Sequence, residues 1–457
     1  MKQLVSLIAA ALMLVIFTSA QGQETWSLQK CIDYAIQNNI QIKQQVLNTE
    51  YYNNQHQQAK YNRLPNLNAG LQNNMNYGRN PGANNTYEDV SSNATSGNLT
   101  TNITLWNGFV LTNSIKMADM DLRASLEDMK KAKDDIMLNI AAAYLEILFA
   151  QELVTVSEEV LKVTQLQIDR TGKLVEAGSL AKGSLLEIEA QFAREELDVV
   201  NAQNRVQLAY LSLYQFLELP STESFKIEKP VLPEIGANMT MINSMDVFRK
   251  AVETKPAVKG AEFRLESARQ QLKIANGHLL PSLTFGANYF NLYNNKYYYP
   301  DIRDQSTGNI ISIGGLIPLK NQIKNNESYG FGATLSIPIF NRYQGRTQVK
   351  NSQIQVENNE LQLQSTKNVL RKDIEQAYTN ALASYKRYIA NQKAVVSSTE
   401  AFRYTEEKFN VGMINSVEYN QTKNNLTTAQ SNLLQAKYEY IFRTKILDFY
   451  NGQPIEL

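Results

Sequence analysis

After its first twenty residues the chain changes hydrophobic period several times, and it runs through the same changes twice. Leu67, Ala69, Leu71, Met75 and Tyr77 alternate with Asn66, Asn68, Gly70, Gln72, Asn74 and Asn76, and Asn73 is the one polar residue on the apolar side. Such alternation predicts a strand with unlike faces. A second run sets Leu99, Thr101, Ile103 and Leu105 against Asn98, Thr100, Asn102 and Thr104. In the second half Leu283, Phe285, Ala287 and Tyr289 alternate with Ser282, Thr284, Gly286 and Asn288, and Phe331, Ala333, Leu335, Ile337 and Ile339 oppose Gly332, Thr334, Ser336 and Pro338. Strands are therefore expected near 66–77, 98–106, 282–293 and 329–340. Polar, turn-rich loops are expected at about Gly78 to Ser96 and Asn294 to Ser328.

The wet side of these strands is Asn, Thr, Ser and Gly without charge, as a water-filled lumen with lipid outside would require. A small soluble sheet with one packed face would alternate in the same way. Tyr289, Tyr293 and Tyr297-Tyr298-Tyr299 gather at one strand end, where an interfacial aromatic belt would sit.

Elsewhere the period is helical and the segments are long. From Gly108 to Gly172 there is no glycine, and from Pro81 to Pro220 no proline. A helix through this stretch would be about 90 Å long. Leu111, Ile115, Ala118, Leu122, Leu126 and Met129, then Ile136, Ile140, Ala143, Ile147, Ala150, Val154, Leu161 and Ile168, keep a three-four spacing. A second series of Leu138, Ala142, Leu145, Phe149, Val156, Val160 and Val163 marks another stripe. Two seams mean neighbours on two sides, as in the wall of a helical cylinder or the interior of a soluble bundle. Gly178 and Gly412 sit where each long helix must turn back, within 175–180 and 410–415.

The order of events divides the chain into a first repeat, 21–219, and a second, 245–451, with a tail at 452–457. Each opens with a short helix, continues into another that ends at Leu64-Pro65 or Leu280-Pro281, and then gives strand, loop, strand and long helical hairpin. The hairpins are expected at 110–219 and 343–451. Between the repeats, 220–244 carries Pro220, Pro230, Pro233 and Gly236 and holds no period, so it reads as a linker.

Met1-Lys2-Gln3, an apolar run from Leu4 to Phe17 and Thr18-Ser19-Ala20 have the layout of a secretory signal, 1–20. The net charge of +1 and ordinary hydrophobic content indicate neither a nucleic-acid surface nor a helical membrane bundle. Nothing after Ala20 approaches eighteen consecutive apolar residues, so a membrane crossing would have to be a closed barrel. The single cysteine, Cys31, excludes an intrachain disulfide. Lys30 precedes it where a lipidated cysteine would follow a small residue, and a buried helical position is expected.

The residues resemble the TolC family of outer-membrane efflux proteins over essentially the whole mature chain. The carriers are Trp26-Ser27-Leu28 opening a helix that reaches Asn39, the two Leu-Pro junctions, Leu105-Trp106-Asn107-Gly108 paired with Ile337-Pro338-Ile339-Phe340-Asn341, the turn Glu176-Ala177-Gly178-Ser179-Leu180, and the closing helix from Ala436 to Tyr450. The resemblance implies a mixed α and transmembrane β fold in which four membrane strands per chain make a trimeric twelve-stranded barrel, continuous with a long periplasmic α-helical barrel. Oligomerisation is required independently, since the smallest closed barrels have about eight strands. The resemblance further implies an efflux duct working with a periplasmic adaptor and an inner-membrane pump in multidrug efflux or type I secretion, with outer-membrane lipid around it.

The family's tunnel opens where the hairpin tips part, and acidic residues near the tip often form a ring. Glu418 matches one such position; the next family acid is Gln421 here. In the first repeat the matching position is Ser184, and Glu187 lies one turn on. Glu418, Glu187, Gly178 and Gly412 are thus the expected gate residues, against the alternative that the glutamates are solvated helix surface.

Only His56 and His278 are present in the mature chain, with one cysteine and no phosphate-binding glycine loop, so no enzyme and no cofactor is expected. The run Glu127-Asp128-Met129-Lys130-Lys131 reads as a solvated face. Two other classes fit parts of the pattern: a trimeric coiled-coil adhesin, whose strands would be grouped at the C-terminus, and a soluble secreted helical scaffold.

Overall fold

A computed structural model describes residues 25–81, 86–219, 225–230, 235–236 and 243–455. The expected signal, 1–20, and most of the expected linker lie outside the described residues. In chain order the first half holds β1 (Thr25–Trp26), α1 (Leu28–Asn38), α2 (Ile40–Tyr61), β2 (Asn68–Pro81), β3 (Tyr87–Trp106), α3 (Val110–Glu176), α4 (Lys182–Leu217) and β4 (Lys226–Ile227). The second holds α5 (Ser244–Thr254), α6 (Pro256–Gly277), β5 (Ser282–Asn294), β6 (Ile302–Arg303), β7 (Ile310–Ser312), α7 (Leu319–Asn325), β8 (Ser328–Ser336), α8 (Gln344–Asn410) and α9 (Ser416–Tyr450). α3 and α8 have 67 residues each, about 100 Å of helix.

These residues form two compact units, each assembled from both halves of the sequence. One contains the chain up to Thr49, Ser125–Ala261 and everything from Leu363; the other contains Glu50–Ala124 and Glu262–Gln362.

In the second of these, β2, β3, β5 and β8 form one antiparallel sheet in that order. The register puts Ala69, Leu99, Tyr289 and Tyr329 in successive strands on one face. That face is bare: Leu71, Tyr77, Phe331 and Leu335 are each at least 60% exposed. The other face repeats one device. Asn98 lies across Gly70, Asn102 across Gly286 and Asn288 across Gly330, directly opposite in each case, and a Cβ on any of these glycines would collide with the asparagine amide. The amides are thereby laid flat along the sheet.

The strands differ from the expected ones in extent. β2 and β3 pair as far as Pro81↔Tyr87, so most of the expected loop at 78–96 is ladder. Residues 87–97 lack an apolar stripe, and the ladder there is held by backbone bonds without a packed face. Conversely β8 stops at Ser336, two residues before Pro338, which lacks the donor a ladder needs. The expected loop at 294–328 contains β6, β7 and α7. Both strand-to-helix turns use two consecutive residues in the left-handed region, Gly108-Phe109 and Arg342-Tyr343, each bracketed by an aromatic pair, Trp106–Phe109 and Phe340–Tyr343. At Gly108 a side chain would also strike the carbonyl oxygen of Gly277.

The other unit has a core around the middle of α3, where Ile136, Ile140, Ala143, Ile147 and Ala150 are buried. Leu145 and Phe149 of the second expected seam are buried too, but Val163 and Leu126 are exposed. Tyr144, Ala141 and Leu148 complete a helix surrounded on most sides over this stretch. One stretch of α3 is long and apolar enough by composition to cross a bilayer, but half of it is buried inside the protein. Tyr144 lies 2.7 Å from the carbonyl oxygen of Glu228 and 3.1 Å from that of Trp26, and its hydroxyl donates to this pair, joining the parallel strands β1 and β4. Trp26 stacks on Phe225 at 4.7 Å.

Cys31 is fully buried in α1, as expected of a buried helical position, and burial pushes its thiol up to about 12. Ser27 caps α1 by accepting from the Lys30 amide at 3.2 Å. Glu127 departs from expectation: it is buried and accepts from Lys130 at 2.7 Å. In the sequence its charge could not be told from that of its solvated neighbours.

Lys255, at the C-cap of α5, places its ammonium 3.2 Å from the centre of the Phe449 ring and 4.0 Å from Asp134. Burial brings it down to about 8 from 10.5, against the opposing pull of Asp134. Between these values the unfolded chain holds the proton and the folded one does not, so this group makes stability rise with pH across the window. The raised Cys31 thiol pulls the other way above about 9, so thermal melts at several pH values should reveal the rise as the difference between the wild-type and Lys255→Met profiles. Parallel profiles would refute the assignment.

Candidate functional site

α3 and α8 end in the same way. Gly178 and Gly412 take φ of 73° and 76°. Gly178 N–H bonds the carbonyl of Val175 at 3.0 Å and Ser179 that of Leu174 at 2.8 Å; Gly412 and Met413 bond Phe409 and Lys408 at 3.1 and 2.9 Å. This is the Schellman arrangement, which satisfies the last carbonyls of a helix and needs a residue without a Cβ penalty at the left-handed position. The helices that return, α4 and α9, begin differently. Ala181 offers no side-chain cap, whereas Asn415 accepts from the Glu418 amide at 2.9 Å.

Glu418 thus stands in the first turn of α9, exposed, where the helix dipole favours a carboxylate. Glu187 is in the second turn of α4 and accepts a hydrogen bond from the Ser416 hydroxyl, itself only 2% exposed. The four expected residues therefore lie at or near the two turns, but the two acids are not alike: Glu187 ties the first hairpin to the second, and Glu418 is exposed.

Three further links join the hairpins. Arg170 of α3 donates to Asn410, the last residue of α8, reaching both its side-chain and main-chain oxygens. Gln191 donates to Asn424 at 3.1 Å and to Glu195 at 2.9 Å. Deepest is an ion pair between Glu195 of α4 and Lys423 of α9, at 2.9 and 3.1 Å to the two carboxylate oxygens, with both side chains 5% exposed. Lys423 also donates to the Val160 carbonyl at 3.1 Å and to the Thr164 hydroxyl, so its charge is hydrogen-bonded from α3 as well. Burial lowers the Lys423 pKa, opposed by the Glu195 bond that raises it. Beside the pair, Tyr419 is buried between Phe402 and Phe409, at 5.4 and 4.7 Å.

Glu187, Gln191 and Glu195 recur every fourth residue and so share one face of α4. That spacing was available in the sequence; its burial was not, because their partners Ser416, Asn424 and Lys423 lie more than two hundred residues away. Among the described residues no group of His, Cys, Asp and Glu is arranged to hold a metal.

The sequence model of the outer membrane efflux protein family matches residues 31–217 and 247–449, most of the chain and both repeats. The chain belongs to the outer membrane efflux protein family. It is 24% identical over 328 residues to the outer membrane protein TolC of Vibrio cholerae, covering 72% of this chain and 70% of that one. It is 21% identical over 357 residues to the toxin and drug export protein A of Aggregatibacter actinomycetemcomitans, covering 76% and 70%. Among solved structures, the outer membrane protein VceC of Vibrio cholerae superimposes with a TM-score of 0.76 at 16% identity, over 94% of this chain and 97% of that one. The fold is that of the outer-membrane efflux channels, and the protein is an outer-membrane protein whose helical part lies in the periplasm.

In an efflux protein of this fold, the hairpin links differ in strength. Exposed pairs contribute at most about 1 kcal/mol, while breaking a buried ion pair by removing one partner costs about 3–5 kcal/mol. Lys423→Met should therefore destabilise by about 3–5 kcal/mol, and adding Glu195→Leu should recover most of that loss, because no charge is then left buried. Thermal or denaturant unfolding of the purified protein checks both; a harmless single variant would refute the buried-pair assignment.

Proposed function

We propose that three copies of the chain close β2, β3, β5 and β8 into a twelve-stranded barrel in the outer membrane. The assembly is a passive exit duct that receives substrates in the periplasm. The observation that carries this reading is the sheet, which is bare on both faces and has β2 and β8 as free edges. A soluble sheet would cover its apolar face; here that face suits lipid, and the uncharged Asn-Gly face suits water. Successive strands are antiparallel, so β8 runs opposite to β2, and β8 of one copy can pair with β2 of the next without breaking the alternation. In hydrocarbon this pairing is obligatory, because an open edge has no water to bond.

The helical hairpins form the periplasmic end, where an adaptor and an inner-membrane pump dock, in multidrug efflux or type I secretion. The name of the Aggregatibacter relative, toxin and drug export protein A, supports this class. A duct that does no chemistry takes its substrate choice from the pump. Its gate is the pair of turns at Gly178 and Gly412. Opening separates the hairpins by breaking Arg170–Asn410 and Glu187–Ser416, and the Glu195–Lys423 pair is the pivot at which separation stops. Three copies of the exposed Glu418 form an acidic ring that favours cations.

Purification from outer membranes, mass determination in detergent and planar-bilayer recording test this reading together. The expected result is a detergent-requiring trimer with a small conductance. Conductance should rise severalfold in Arg170→Ala/Glu187→Ala, and cation preference, read from the reversal potential in a salt gradient, should fall in Glu418→Gln. A detergent-free monomer without conductance would overturn the duct.

A further inference from the structure

The excursion between β5 and β8 carries a feature that a duct does not need for conduction. β8 begins only at Ser328, opposite Phe290, so the last four residues of β5 have no β8 neighbour on that side. α7 fills the place with side-chain amides. The buried Gln322 accepts from the Asn294 amide at 2.9 Å and donates to its carbonyl at 3.0 Å, and Asn326 donates to the Leu292 carbonyl at 2.5 Å. Asn291, on the same face of β5 as Tyr289 and Ala287, donates to the Ile323 carbonyl at 2.6 Å. α7 is therefore fixed to the sheet at the upper limit of its apolar face, beside the Tyr289–Tyr329 ring pair.

The rest of α7 is open to solvent, apart from Asn321, which donates to the Tyr299 hydroxyl at 2.9 Å. Leu319 and Ile323, one turn apart, are 54% and 46% exposed. Lys320 and Lys324, also one turn apart, are exposed, and the helical period sets them opposite Gln322, hence away from the sheet. An apolar stripe continuous with a lipid-facing surface, bordered by two lysines whose Cβ atoms are about 6 Å apart, is the pattern of a helix lying at a membrane interface. Side chains of this kind place their stems among acyl chains and their charges among headgroups.

We propose that α7 is a lipid contact: Leu319 and Ile323 enter the edge of the outer leaflet, and Lys320 and Lys324 bind the phosphate groups of its phosphorylated glycolipid. The proposal rests on the reading of the sheet as a membrane barrel. Its occupant follows from charge complementarity, two exposed ammonium groups meeting an anionic headgroup, and from the position of the helix at the end of the apolar face. The contact would fix the depth of the barrel in the membrane, with α7 acting as a collar.

The full-length protein, purified and delipidated in detergent, can be tested with lipid A as probe by native mass spectrometry. Lipid A should be retained on the order of tenfold more by the wild type than by Lys320→Gln/Lys324→Gln. Lys320→Arg/Lys324→Arg should retain it like the wild type, and lipid A stripped of its phosphates should bind all three weakly. These lysines are exposed and outside the conducting path, so each variant should keep the oligomeric mass and conductance of the wild type. A conducting, detergent-requiring wild type that retains lipid A no better than the glutamine variant, or no better than the phosphate-free lipid, would overturn the contact and leave the duct intact. A wild type needing no detergent would overturn the membrane reading and the contact with it.

Discussion

A strand bordered by hydrocarbon has no water to satisfy its amides, so every N–H and C=O in β2, β3, β5 and β8 must find a partner on a neighbouring strand or a side chain. In the proposed barrel, much of the sheet unit answers that demand. The ladder from Asn68 to Trp106 is continued by backbone bonds even where the side chains no longer alternate. Where β8 stops short, Gln322 and Asn326 supply the bonds a strand would have made. The two outer edges are the part of the demand that one copy cannot meet, and in the proposed trimer each is met by the next copy.

The helical unit follows the opposite rule where its hairpins meet, for there charges are buried together with their partners. Glu195 and Lys423 are desolvated together, and α3 contributes Thr164 and the Val160 carbonyl so that neither charge is left short. An apolar pair there would hold as well. What the ion pair adds is geometric definition: it accepts one alignment of α4 and α9, whereas apolar side chains tolerate sliding. Nearer the turns the links involve exposed groups, which exchange with water at little cost. The gradient from strong to weak along the hairpins suits the proposed gate, which would loosen from its end.

Much of this was legible in the sequence because glycine, proline and a period of two leave local marks. Gly178 and Gly412 announce the turns, Leu64-Pro65 and Leu280-Pro281 the passage from helix to strand, and the alternation from Leu283 to Tyr289 one face of β5. Residues 87–96 read as loop in the sequence because a ladder stabilised by backbone bonds needs no side-chain pattern. Residues 294–328 were read as loop because α7 is too short for a period to emerge and its anchor, Gln322, looks like any surface glutamine. At the hairpin ends the turns and the position of Glu187 are legible in the sequence, but Glu195 and Lys423 are indistinguishable from the many acids and bases on solvated helix faces. Burial of a charge is a property of the meeting of helices, and no local signal carries it.

The interleaving of the two repeats also has a temporal side. β3 is complete at Trp106, but β5, which covers its second edge, begins only at Ser282. At ribosomal rates that interval is roughly ten to thirty seconds of synthesis. Neither compact unit is complete when the first repeat has been made, so a half-length chain exposes a hairpin with an open edge and long helices without their neighbours. Such a chain is a target for holding chaperones and for aggregation, and its folding must wait for its C-terminal half.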